Sequence, residues 1–180
     1  MIGDEKTKYL KDVKRDFEQL KKKYPFSEIS IAPTVEITPV VINCIAANCS
    51  LIDTMLAKPE DFLGDYSRQL RIIVPFNYKE NGCYVFGGKW IDKNLIRDKD
   101  RHFYERMDDG SYRFCVGVPE SFLRMQNVIL ENVRTAENML IAYEQFQKGL
   151  TEIIKLQAYS HGEKGKDEYR RDRKRYGTKS

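Results

Sequence analysis

RQLRIIVPFNY, residues Arg68 to Tyr78, is the run that decides the fold class. Ile72, Ile73 and Val74 are β-branched residues that favour extended backbone, and Pro75 closes the run by removing a backbone donor. The segment from Arg68 to Pro75 therefore reads as a strand. Upstream, from Phe26 to Cys49, short β-branched groups recur between prolines: Ile29, Ile31, Val35, Ile37 and Val40 to Ile42. These predict further strands, paired antiparallel. Downstream, CYVFGGKW (Cys83 to Trp90) follows the Asn81-Gly82 turn signal and predicts the next strand, with Gly87-Gly88 ending it early.

Both flanks of this strand-rich region carry the 3.6-residue period of amphipathic helices. Tyr9, Leu10, Val13, Phe17 and Leu20 share one side of an opening helix, which Pro25 cannot continue. Ile129, Val133, Ala136, Leu140, Tyr143 and Phe146 share one side of a second, with Gly149 as its stop. Residues 50–66 read either as a short helix ended by Pro59 or as a crossing loop, and Asp92 to Gly110 reads as a charged loop. Strands that follow one another without alternating helices indicate an α+β domain. A Rossmann-like fold is disfavoured, because Gly87-Gly88 lacks the G-x-G-x-x-G register that brings a helix N-terminus to a pyrophosphate.

Composition narrows the function classes. The chain has 180 residues, 41% of them hydrophobic, enough for one sizeable core. The expected organisation is a single domain over residues 1–169 followed by a basic, hydrophobe-poor tail over 170–180. No apolar run approaches the roughly 20 residues of a membrane span, and the charged N-terminus is unlike a signal peptide. A cytoplasmic protein is the expectation, with no membrane partner. The net charge of +4 is too small to indicate nucleic acid as a partner by itself. The tail and its tyrosines, Tyr169 and Tyr176, leave a nucleic-acid-binding module as one competing reading.

Four cysteines, Cys44, Cys49, Cys83 and Cys115, stand in a chain without a secretory signal, so reduced thiols are expected rather than a disulfide framework. There is no C-x-x-C knuckle and His102 and His161 lack paired spacing, so no metal is expected. Cys44, Cys49 and Cys83 read as small buried hydrophobes.

Cys115 reads differently because of the pattern around it. RHFYERMDDGSYRFCVGVPE (Arg101 to Glu120) resembles the active-site segment of prokaryotic ubiquitin-conjugating enzymes: a histidine, an Asp-Gly turn, a cysteine in apolar context, then Gly-x-Pro-Glu. LRIIVPFNY resembles that family's third strand running into proline and a tyrosine, although Lys79 stands where the family has a second proline. AYEQFQKG (Ala142 to Gly149) resembles the long helix after the cysteine. AYSHGEKGKDEY (Ala158 to Tyr169) resembles the Ser-His-Gly-x-x-Gly stretch closing several bacterial members.

The resemblance implies a ubiquitin-conjugating-enzyme-like fold with an N-terminal helix, an antiparallel meander sheet, an active-site loop and C-terminal helices. It implies an acyltransferase that accepts the C-terminus of a ubiquitin-like protein or of a cGAS-like nucleotidyltransferase on Cys115 and passes it to an amine. The bacterial setting it implies is antiphage defence, notably cyclic-oligonucleotide signalling, or a ubiquitin-like conjugation operon. An activating enzyme would be a further partner, and no cofactor is implied.

This chemistry needs a cysteine reachable as thiolate, because a thioester stays activated toward amines while an ester of serine does not. Arg113, His102 and His161 are the groups available to favour the anion, and backbone amides between Ser111 and Cys115 are candidate oxyanion donors. Asp108 or Asp109 is a candidate to orient or deprotonate an incoming lysine, the plain alternative being a solvated Asp-Asp-Gly turn. His102 fits a loop-fixing role better than proton transfer, and His161 either tunes the thiolate or amine or caps a turn. Where eukaryotic members carry His-Pro-Asn, this chain has His102, Phe103 and Tyr104, so the asparagine's role has no assigned residue. The segment also carries two more residues between Gly110 and Cys115 than the eukaryotic spacing. The competing readings are a non-catalytic scaffold or partner-binding protein of the same fold, and a cysteine hydrolase or redox protein.

Overall fold

The computed structural model describes residues 2–31, 39–46, 68–92, 94, 103–147, 149, 167 and 171. The opening helix α1 spans Ile2–Lys23, with Asp4 and Glu5 in its first turn and Lys21 to Lys23 in its last, the arrangement its dipole favours. Tyr9, Val13, Phe17 and Leu20 are its buried face. After it come β1 (Glu28–Ser30), β2 (Val40–Ile45) and β3 (Gln69–Val74). A helical turn α2 (Tyr78–Asn81) leads into β4 (Tyr84–Gly87). A hairpin of β5 (Phe103–Arg106) and β6 (Tyr112–Phe114) follows, then the short helix α3 (Pro119–Phe122) and the long helix α4 (Val128–Gln147).

All six strands form one antiparallel sheet in the order β1-β2-β3-β4-β6-β5. The structure departs from three expectations. The sheet is a meander only through β4: the last hairpin inserts β6 beside β4 and leaves β5 at the edge. The segment from Asp92 to Gly110, read as loop, contains β5, whose Phe103-Tyr104-Glu105-Arg106 mixes aromatic and charged residues and hides its period. The Asn81-Gly82 pair is also not a two-residue hairpin turn, since Asn81 ends α2 and Gly82 caps it at φ +77°. Residues 50–66, Cys49, His102 and His161 lie outside the described residues.

Register explains why one face is apolar. Val40 pairs with Val74, Ile42 with Ile72 and Cys44 with Leu70, and the same face continues through Val85, Tyr112 and Phe114. Pairing by twos sends these inward and sends Val41, Asn43, Arg71, Ile73, Tyr84, Phe86 and Arg113 outward. Helices α1 and α4 pack together on the inward face, where Ile129, Val133, Ala136, Leu140 and Tyr143 complete the core. Phe103, at the sheet edge, stacks against Tyr112, Phe114 and Tyr143 at ring distances of 5.0–5.2 Å.

Buried polar groups fix how the layers dock. Asp16, on α1, accepts the Tyr78 hydroxyl at 2.6 Å and the Arg15 guanidinium at 2.9 Å. The Tyr9 hydroxyl donates to Val74 O and accepts from Val40 N, tying α1 to the ends of β2 and β3. Asn127 caps α4 by accepting from Leu130 N, and its amide donates to Asp16 O. Tyr24 donates to Glu137 across the two helices, and Asn132 of α4 accepts the backbone amide of Cys83. No described helix is long and apolar enough to cross a membrane.

Candidate active site

Cys115 is the residue immediately after β6, where the sheet ends and the chain turns toward α3. It is half-buried, whereas Cys44 and Cys83 are closed into the core at 2% and 4% exposure. Burial pushes the Cys83 thiol well above its usual range, with Asp16 adding to the shift. Among the described cysteines, Cys115 is therefore the one whose sulfur a reagent can approach.

The segment that follows is pinned. Gly117, at φ +149°, and Gly82, at φ +77°, both lie against the Phe122 ring, which a Cβ at either position would meet at 2.8 Å or less. Phe122 thereby locks the chain after Cys115 to the turn between α2 and β4. Pro119 starts α3, and the Ser121 hydroxyl donates to Val118 O at 2.7 Å, closing the corner. Glu120 is half-buried beside it.

On the outward face, the β4–β6 pairing sets Phe86 opposite Arg113, and Tyr84 stands two residues further along β4. The Arg113 guanidinium carbon sits 4.5 Å from the centre of the Tyr84 ring and 4.7 Å from that of Tyr104. Each ring attracts the cation electrostatically, by about 0.5–1 kcal/mol at a partly exposed site. The Tyr104 hydroxyl lies beside Cys115, close enough for the two groups to influence each other's charge. Burial of that hydroxyl, and then the neighbouring sulfur, push the phenol up to about 12, so it keeps its proton through the neutral range.

Asp109 does not belong to this cluster. It sits in the turn at the opposite end of the β5–β6 hairpin, where its Oδ1 accepts both the amide and the hydroxyl of Ser111 at 3.0 and 2.6 Å. Its other oxygen pairs with Lys89 at 3.0 Å. These bonds, led by the Ser111 hydroxyl, hold the Asp109 carboxyl well below the usual range. From Ser111 to Cys115 the extended chain covers roughly 13 Å at about 3.3 Å per residue. The plain turn reading of Asp109 is the one its geometry fits.

The same bonds remove Ser111 from the set of oxyanion donors, since its amide is already committed to Asp109. Arg113 does stand on the Cys115 side, through the Tyr84 and Tyr104 rings. Tyr104 was not among the sequence candidates for the site, although its place two residues after His102 marked it as an odd substitution. A cavity of about 510 Å³ lies at the far end of the sheet, with Gln69, Gly87, Asp109 and Ser111 in its wall, away from Cys115. Among the described residues no group of three or more His, Cys, Asp and Glu is placed to hold a metal ion.

No protein-family model, curated protein or solved structure matches this chain.

Proposed function

We propose that this chain is a thioester-forming acyltransferase of the ubiquitin-conjugating type, with Cys115 as the acyl carrier. The observation that carries the reading is the placement of Cys115: half-buried, past the end of a strand, backed by a pinned corner and faced by the Tyr104 hydroxyl. A carrier sulfur must be reachable by a donor yet sheltered from water that would hydrolyse the thioester, and such a rim position suits both needs. The order of elements also fits a conjugating-enzyme-like fold: opening helix, consecutive strands, proline and buried Tyr78 after β3, the cysteine, then a long helix.

In this reading the donor is the C-terminus of a ubiquitin-like protein or of a cGAS-like nucleotidyltransferase, and the acceptor is an amine. The setting is a bacterial cytoplasmic antiphage or conjugation system, with an activating enzyme supplying the acyl group. These assignments rest on the resemblance of the Arg101–Glu120 and Ala158–Tyr169 segments. His102 and His161 keep the roles proposed from sequence.

Incubating the purified protein with a candidate activating enzyme, ATP and donor, and weighing it intact, tests the proposal. A thiol-labile adduct in wild type that is missing from Cys115→Ala and Cys115→Ser identifies the carrier, and its mass identifies the donor. An adduct that forms equally on Cys115→Ala refutes the assignment. A validated donor that never adds to wild type favours the non-catalytic scaffold.

A further inference from the structure

The phenol beside the cysteine has a chemical consequence that depends on the thioester reading but goes a step beyond it. When the sulfur carries an acyl group, the carbonyl oxygen is one carbon away from the sulfur. The β5–β6 register, which pairs Phe103 with Phe114, sets the Tyr104 hydroxyl beside that sulfur, where it is placed to meet the oxygen. We propose that Tyr104 is a catalytic residue of the transfer, its hydroxyl donating to the oxyanion of the tetrahedral intermediate while Arg113, flanked by the Tyr104 and Tyr84 rings, holds the phenol in place.

The amine nitrogen attacks the thioester carbonyl carbon, a C–N bond forms, and the carbonyl π pair moves onto oxygen, where the Tyr104 hydroxyl meets it. The surplus ammonium proton passes to solvent water. The oxygen pair then returns to carbon, the C–S bond breaks with its electrons on Cys115, and the amide leaves. Tyr104 lends a hydrogen bond throughout and transfers no proton, in keeping with a phenol that stays protonated near neutrality.

The Ser111 amide, at the far end of β6, is bonded to Asp109 and does not serve. Tyr104 is 48% exposed at the sheet edge while its neighbour Phe103 is buried. An acyl chain arriving from solvent would thus enter beside it.

The test uses the full chain and a chemical donor. Wild type and Tyr104→Phe are charged on Cys115 by exchange with a glycine-terminated peptide thioester, then chased with free lysine, and the loss of the acyl group is followed by intact mass. Tyr104→Phe keeps the ring over Arg113 and removes only the hydroxyl. Alkylation of Cys115 by iodoacetamide, a displacement at saturated carbon with no oxyanion, is the reference reaction. Removal of an oxyanion donor costs on the order of 10²-fold in other enzymes, so aminolysis in Tyr104→Phe is expected to fall by about that factor relative to alkylation.

If aminolysis falls no further than alkylation does, Tyr104 has no such role and Cys115 remains a carrier without it. If wild-type Cys115 takes no acyl group from the peptide thioester while iodoacetamide reaches it, the carrier reading itself fails and the role of Tyr104 falls with it.

Discussion

Asp109 and Cys115 stand at opposite ends of β6, so the candidate carboxylate that precedes the cysteine is held in the hairpin turn by Ser111 and Lys89. Acid and thiol are separated by the strand that joins them. The consequences for stability and for chemistry can be measured apart.

Asp109→Asn is expected to leave thiol reactivity at Cys115 unchanged and to alter the acid limb of stability. The folded carboxyl is held below its unfolded value of about 3.9, so its contribution is present above roughly pH 4 and is lost as pH falls further. The group is half exposed, which limits the effect to under about 1 kcal/mol. Thermal melts by circular dichroism from pH 2 to 7 should show a shallower acid decline in the variant; parallel curves would contradict this.

Tyr78→Phe strips a donor from a carboxylate that is 1% exposed. Leaving that oxygen of Asp16 short of a partner should cost about 1–3 kcal/mol in urea unfolding at pH 7. Burial, then the bond to Asp16, hold the Tyr78 phenol far above its ordinary value. A raised folded value means the contribution is complete below pH about 10 and is lost as the unfolded tyrosine ionises above it. The variant should therefore lose less stability between pH 9 and about 11 than wild type does.

Gly117→Ala forces a side chain into a positive-φ position, with its Cβ 2.8 Å from the Phe122 ring. Backbone strain of this kind costs about 1–3 kcal/mol, and relief requires the corner after Cys115 to shift. Calorimetry should register the loss and iodoacetamide should label Cys115 at a changed rate. A melting temperature equal to wild type would show that the corner is not pinned as described.

Peptide-level mass spectrometry after brief alkylation should find Cys115 modified well before Cys44 and Cys83. The latter two are buried, and the Cys83 thiol resists ionisation, so they react only through opening of the core. Equal labelling of Cys83 and Cys115 in native protein would overturn the exposure difference on which the carrier assignment rests.

The main elements were legible where one periodicity dominated. Tyr9, Val13, Phe17 and Leu20 announced α1, Ile129 to Tyr143 announced α4, and Leu70 to Val74 announced β3, because burial of one face selects residues at that face's own period. Strand β5 escaped notice because it lies at the sheet edge, where only Phe103 is needed inside and the intervening positions are free to carry charge. The insertion of β6 between β4 and β5 had no local signal, since pairing partners are chosen by contacts between segments far apart in the chain.

By itself the sequence determined the α+β class, the two amphipathic helices and the inward face of β3, which follow from local rules: helix and strand periods and turn residues. Cys115 was singled out by the resemblance of its segment alone. Only the tertiary structure decided what stands around that sulfur. It turned Asp109 into a turn residue, committed the Ser111 amide, and brought Tyr104 from the edge strand to the cysteine beyond its neighbour. Spacing along the chain cannot supply that result, because the β5–β6 register, with its bulge between Phe103 and Arg106, sets which side chains meet across the hairpin.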